Sequence, residues 1–208
     1  MNFKKKIVKK PKEPVKILHD ADNAALHIST HLLSIFPTFY HRPIVFVCIG
    51  TDRSTGDALG PLVGSLLEEK HISNFHIYGT LEDPIHAVNL TTKLKEITDK
   101  HVNPYIIGID ACLGRIKSVG SIQIGKGPIK PGAGVNKELP EVGDMHITGI
   151  VNVSGFMEYF VLQNTRLHLV LNMAKIIADG IAKASLSFPI KQTWTKLYIE
   201  NEHEEKTP

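Results

Sequence analysis

The chain has 208 residues, 42% hydrophobic and 22% charged, the profile of an ordinary globular protein with room for a sizeable core. Its net charge of +3 is small, and residues 1–16 concentrate the excess with seven lysines against one glutamate, so a basic nucleic-acid-binding face is not supported. Two cysteines exclude a disulfide framework, no apolar run reaches the length of a membrane span, and the start lacks the apolar stretch of a secretory signal. A cytoplasmic protein with reduced thiols is the expectation.

Residues 1–16, with prolines at 11 and 14, read as a flexible basic arm, 17–199 as one α/β domain, and 200–208, rich in glutamate, as an acidic tail. The pattern Ala25, Ile28, Leu32, Ile35, Phe36 predicts a helix that Pro37 ends, with Asp20 or Asp22 as its cap. Residues 44–49 (IVFVCI) form an unbroken apolar run, as a strand buried on both faces does. Gly50 stops that run, and a polar loop through Gly56 leads to Asp57. A helical pattern of Leu59, Leu62, Val63, Leu66 and Leu67 follows.

A second strand is predicted over 74–78 (NFHIY), then a loop containing Glu82, Asp83 and His86, and a helix over about 88–100. Residues 105–109 (YIIGI) read as another buried strand, ending in Asp110. This β, α, β, α, β alternation predicts a mostly parallel sheet with helices on both faces, a three-layer sandwich. Further strands are expected over 121–125 and 146–153, a short apolar helix over 156–162, and a long helix over about 165–184.

The chemistry centres on two aspartates at equivalent places, Asp57 after the first central strand and Asp110 at the end of another. In open α/β sheets, sites are built at the carboxyl ends of strands. Two carboxylates brought close there cannot easily both ionise. Such a pair can activate water and protonate a leaving amine. Asp57 taken alone also fits the cap of the following helix. With His146 as a third ligand, Asp57 and Asp110 make a candidate divalent-metal set, although a lone histidine among eleven is more often structural. No other cofactor is indicated, because the glycines after the first strand match neither the P-loop nor the dinucleotide fingerprint.

Asp52 and Arg53 flank the same loop as candidate substrate contacts. Gly132, Gly134 and Asn136 belong to the small-residue stretch 130–136 (KPGAGVN), whose backbone amides could approach a substrate carbonyl, or which could be a plain turn. Cys112 has no base at a recognisable spacing and reads as a buried thiol.

The stretches CIGTDRSTGDALGPLVG, IIGIDACLGR and GKGPIKPGAGVNKELPEVG resemble the YyaC family of sporulation proteins, a likeness running from about residue 43 to 184. More distantly they are similar to the spore germination protease and to the hydrogenase-maturation endopeptidases. The resemblance implies a phosphorylase/hydrolase-like α/β fold. It also implies catalytic aspartates at Asp57 in Gly-Asp-Ala-Leu-Gly-Pro and Asp110 in Ile-Asp-Ala, with His146 in HITG nearest to a nickel-binding histidine. The expected activity is that of a sporulation-associated peptidase acting on a protein or peptide, small acid-soluble spore proteins being the candidate substrate, in the cytoplasm of the forespore or spore core. The alternatives are a non-catalytic sporulation factor binding a partner in the same crevice, or a metal-binding maturation-peptidase-like protein. A homo-oligomer is compatible with the sequence, and neither membrane nor direct nucleic-acid binding is expected.

Overall fold

The computed structural model describes residues 13–37, 42–132 and 139–188. Strand β1 (Val15–Leu18) and helix α1 (Ala24–Ile35) precede the central run of β2 (Ile44–Cys48), α2 (Leu59–Glu69), β3 (His76–Tyr78), α3 (Leu90–Lys100) and β4 (Tyr105–Gly114). Then come β5 (Ser121–Lys126), β6 (Met145–Val153), α4 (Glu158–Gln163) and α5 (Leu167–Ser187). The six strands form one sheet in the order β1-β5-β6-β4-β2-β3. Strands β3, β2, β4 and β6 are mutually parallel, and β5 is antiparallel to both its neighbours.

Alternation along each strand divides the core into two layers. Phe46 and Cys48 of β2, with Ile107 and Ile109 of β4, pack against α1, α2 and α5. Val45 and Val47 face the other way, onto Leu90 and Ile97 of α3 and onto Ile129 and Val142. This explains the continuous apolar runs: a strand covered on both faces needs no polar alternation. Among the described residues no helix is long and apolar enough to cross a membrane.

Three expectations are corrected. The last two residues of the segment read as an arm, Val15 and Lys16, begin β1, where Val15 pairs with Ile124; residues 1–12, and the acidic tail at 200–208, lie outside the described residues. The first helix takes Asn23, in a left-handed conformation, as its N-cap rather than Asp20 or Asp22. Asp110 does not end its strand, because β4 runs on to Gly114.

The chain order places the site. From β2 the chain crosses through α2 to β3 at the sheet edge, then returns over the opposite face through α3 to β4, on the other side of β2. The order reverses between β2 and β4, which opens a crevice at their carboxyl ends. Helix α2 begins close against β2 there. A Cβ at Gly60 would lie 2.1 Å from the carbonyl oxygen of Ile49, and one at Gly50 only 1.9 Å from that of Asp57. Gly50 also has φ +145°, in the region that favours glycine. Gly50→Ala should therefore destabilise the fold by about 3 kcal/mol or more, read as a lowered midpoint in urea unfolding; an unchanged midpoint would contradict this packing.

Candidate active site

Strand β2 stops at Cys48, whereas β4 continues, paired with β6 alone, so Asp110 is the first residue beyond the β2–β4 ladder. The last tie between the two is the Ile49 N–H donated to the Ile109 carbonyl at 2.7 Å. Ile107 and Ile109 face α2 and α5, and a Cβ on Gly108 would meet Ile129, so Asp110 points to the α3 side. On that side lies a cleft of about 400 Å³, whose lining includes Asp52, Arg53, Ser54, Asp57, His86 and Asp110. Pro131 and Gly132 close one wall, and Tyr159 and Leu162 of α4 another.

The helix-cap role for Asp57 is not what the structure shows. The N-cap of α2 is Ala58, with no side-chain cap bond. The Ala58 N–H instead donates to the Ser54 carbonyl at 3.0 Å. That frees the Asp57 carboxylate for the cleft. Burial pushes its pKa up from 3.8 to about 6, against a lowering influence from His86.

Asp110 is 8% exposed and accepts the Ala111 N–H on Oδ1 at 2.8 Å. Burial above all, then the charge of Asp57, raises its pKa well above the ordinary carboxylate range, and the Ala111 N–H pulls only partly the other way. Burial raises both carboxyls, Asp110 further because the charge of Asp57 adds to it, so the pair resists holding two negative charges at once. Two carboxyls pushed apart in this way can serve as a base and an acid.

The cleft therefore gathers Asp57, Asp110, Asp52, Arg53 and Gly132; Gly134 and Asn136 lie outside the described residues. His146 is not brought in. Its Nδ1 bonds the Gly127 carbonyl at 2.9 Å and its ring packs where a Cβ on Gly125 would sit, over β5. Among the described residues, the histidine that lines the cleft is His86 rather than His146. No local spacing marked it, although a polar residue in the loop after a parallel strand belongs to the carboxyl edge by topology alone.

Ser54 was also missed. Its Oγ is buried and has no hydrogen-bond partner among the described residues, a hydroxyl left over in the cleft wall. Burial first and Asp110 second push the Cys112 thiol up to about 11, with Thr148 pulling the other way, which disfavours the reactive thiolate.

The family model described as "Protein of unknown function (DUF1256)" matches residues 16–180. The chain belongs to this family. "Uncharacterized protein YyaC" of Bacillus subtilis (strain 168) is 62% identical over 166 residues, 80% of this chain and 81% of that protein. Among solved structures, the NiFe hydrogenase maturation protease HycI from Thermococcus kodakarensis KOD1 aligns with a TM-score of 0.53 at 19% identity, covering 75% of this chain and 99% of that chain. This DUF1256 member thus has the fold of a hydrogenase maturation protease, a peptidase-like α/β sandwich.

The metal set Asp57, Asp110 and His146 does not fit the structure. His146 is held away by Gly127, and among the described residues no group of three His, Cys, Asp or Glu side chains is arranged to hold an ion. His146→Ala should accordingly leave any cleavage within about twofold of wild type, since a residue outside the chemistry acts only through stability. A parallel assay of the two proteins checks it, and a loss of tenfold or more would return His146 to the site.

Proposed function

We propose that this DUF1256 protein is a peptidase-like hydrolase that cuts a protein substrate with Asp57 and Asp110, in the setting of sporulation. The observation that carries the reading is the carboxylate pair lining one cleft, both carboxyls raised by burial and Asp110 further by the charge of Asp57. Asp57 takes a proton from water as the water oxygen bonds to the peptide carbonyl carbon, while Asp110 gives its proton to the carbonyl oxygen. The C–N bond then breaks. The leaving nitrogen takes the proton from Asp57, and a hydroxyl of the collapsing intermediate returns one to Asp110. Asp110 thus supplies the oxyanion stabilisation that fixed donors give in acyl transfer, and the orphan Ser54 hydroxyl stands ready to bond the substrate backbone.

The surroundings suit a polypeptide better than a small polar molecule. Phe156 is 90% exposed, and Tyr159 and Phe160 of α4 are exposed beside it, on a ledge continuous with the cleft through Tyr159 and Leu162. Val88, also exposed, lines the same cleft. Contiguous exposed aromatic surface beside a polar site marks a place where protein is bound. Small acid-soluble spore proteins are the substrates to try first, in the cytoplasm of the forespore or spore core. Incubation with them at pH 7, read by mass spectrometry, should give a few defined fragments from the wild type and none from Asp110→Asn. Binding without fragments would support a non-catalytic sporulation factor that uses the same ledge.

A further inference from the structure

Strand β3 stands at one end of the strand order and pairs with β2 alone, so among the described residues no strand covers its outer edge. Such an edge is a row of backbone N–H and C=O groups ready to take another strand. A groove of about 340 Å³ follows it. Its lining includes Leu67 of α2, Ile72 just after that helix, Phe75, Ile77 and Tyr78, and Lys100 of α3. Ile77 packs with the α2 layer and Tyr78 with the α3 layer, and both are only partly buried. A strand laid against β3 therefore meets apolar side chains on both sides of the sheet.

The described chain leaves the fold at the head of this groove. Helix α5 is capped by Phe188, whose backbone is extended at φ −86° and ψ 121°, the conformation favoured before the proline that follows. Asn74, two residues before β3, donates from Nδ2 to the Ser185 carbonyl at 2.8 Å and to the Phe188 carbonyl at 3.5 Å. The Phe188 ring packs on Phe75, itself a groove residue, with centroids 5.6 Å apart. Residues 189–208 lie outside the described residues, and their sequence opens PIKQTWTKLYIE. After Pro189 no proline interrupts the N–H groups up to residue 199. Thr193, Trp194, Thr195, Tyr198 and Ile199 are strand formers. A two-residue period places Leu197 and Ile199 on one face and Trp194 and Tyr198 on the other, apolar on both. A sheet covered by helices on both faces asks for that pattern.

We propose that residues 193–199 of the same chain dock in this groove as an added strand on the free edge of β3. The tether favours this segment over a second copy of the chain. Residues 189–192 reach about 13 Å when extended, enough to pass from Phe188 to the start of β3, and a link so short gives an effective concentration of about millimolar. The consequence extends to the cleft. Strand β3 leads into the loop from which Pro84, His86, Ala87 and Val88 line the cleft, so covering its edge steadies that wall. None of this depends on the peptidase reading.

Trp194 is the only tryptophan in the chain, which makes the full-length protein its own probe. At pH 7 its emission should be blue-shifted and weakly quenched by acrylamide. Hydrogen exchange read by mass spectrometry should find residues 76–78 and 193–199 both protected, equally at high and low protein concentration. Two full-length variants break the strand differently: Leu197→Pro removes a backbone donor, and Leu197→Asp puts a charge against the groove. Each should expose Trp194 and speed exchange of 76–78 by about tenfold, the effect of losing one or two strand hydrogen bonds. Strands β2 and β4 should exchange as before. Wild-type Trp194 quenched as freely as in urea overturns the proposal. So does exchange of 76–78 that changes no more than that of β2 and β4 in both variants. Protection lost on dilution assigns the edge to a second copy and overturns it as well.

Discussion

Asp110→Asn protein keeps the wild-type fold and loses peptide cleavage by about 10²–10⁴-fold, the range removed with a positioned acid or base. The substitution is nearly isosteric, and the amide oxygen can accept the Ala111 N–H that Asp110 Oδ1 accepts at 2.8 Å. What it removes is the proton that Asp110, buried and raised well above the ordinary carboxylate range, holds for the carbonyl oxygen. Asp57→Asn should lose as much for the complementary reason, because an amide cannot take the proton of the attacking water. The double variant should be little worse than either single one, since two groups that act as a unit are not additive. Rates measured on one substrate at pH 7, with circular dichroism to confirm the fold, decide the matter. Wild-type rates from either single variant would remove that residue from the chemistry.

The same substitutions should stabilise the protein, increasingly as pH rises. A carboxyl whose folded pKa lies above its unfolded value binds a proton on folding between the two. Its contribution to stability is intact below the unfolded value and is lost as pH climbs through the folded one. For Asp57 that window runs from 3.8 to about 6, and for Asp110 it extends higher. The Asp57 rise corresponds to an order of 3 kcal/mol when complete. For a chain of this size, about 6–12 °C in Tm follows. Thermal melts of Asp57→Asn and wild type should therefore coincide near pH 4 and separate by pH 7.5, with the variant the more stable. Such a gain on losing a charge is the mark of a site kept at the expense of stability. Equal melting temperatures at pH 7.5 would mean that burial does not strain the carboxylate.

Much of the fold was legible because its signals are local. The run IVFVCI and the spacing of Leu59, Val63 and Leu67 name a doubly covered strand and the helix after it, and β2 and α2 are found there. The second central strand was legible only in its apolar half. Asp110 ends the run YIIGI but not the strand, because β6 pairs with it through to Gly114, and pairing partners are not written in a local window. Strand β1 was hidden for another reason. It is a short edge strand with only Ile17 buried, and Lys16 within it, the kind of charge that protects such an edge, belonged to the lysine run that read as an arm.

At the site, the two aspartates could be read because each stands next to an apolar run. The histidines could not be ranked in that way. His146 has strand neighbours that draw attention to it, but the Gly127 carbonyl claims its ring. His86 has nothing local to recommend it and is placed by the bridge between Ile49 and Ile85. The freedom of Asp57 was equally invisible, since the helix starts one residue later than the sequence suggests, with Ala58 as its N-cap and no side-chain cap bond.

The central claim is that two acids from separate strand ends share one proton in one cleft. Carbon-13 labelling of aspartate carboxyls, with Asp57 and Asp110 assigned through their Asn variants and followed from pH 3 to 10, measures this directly. The account predicts coupled signals, Asp57 inflecting near pH 6 and Asp110 well above the carboxylate range, with Asp110 shifting downward in Asp57→Asn. Two independent titrations, both near the ordinary value of about 4 and neither moved by loss of the other, would contradict it.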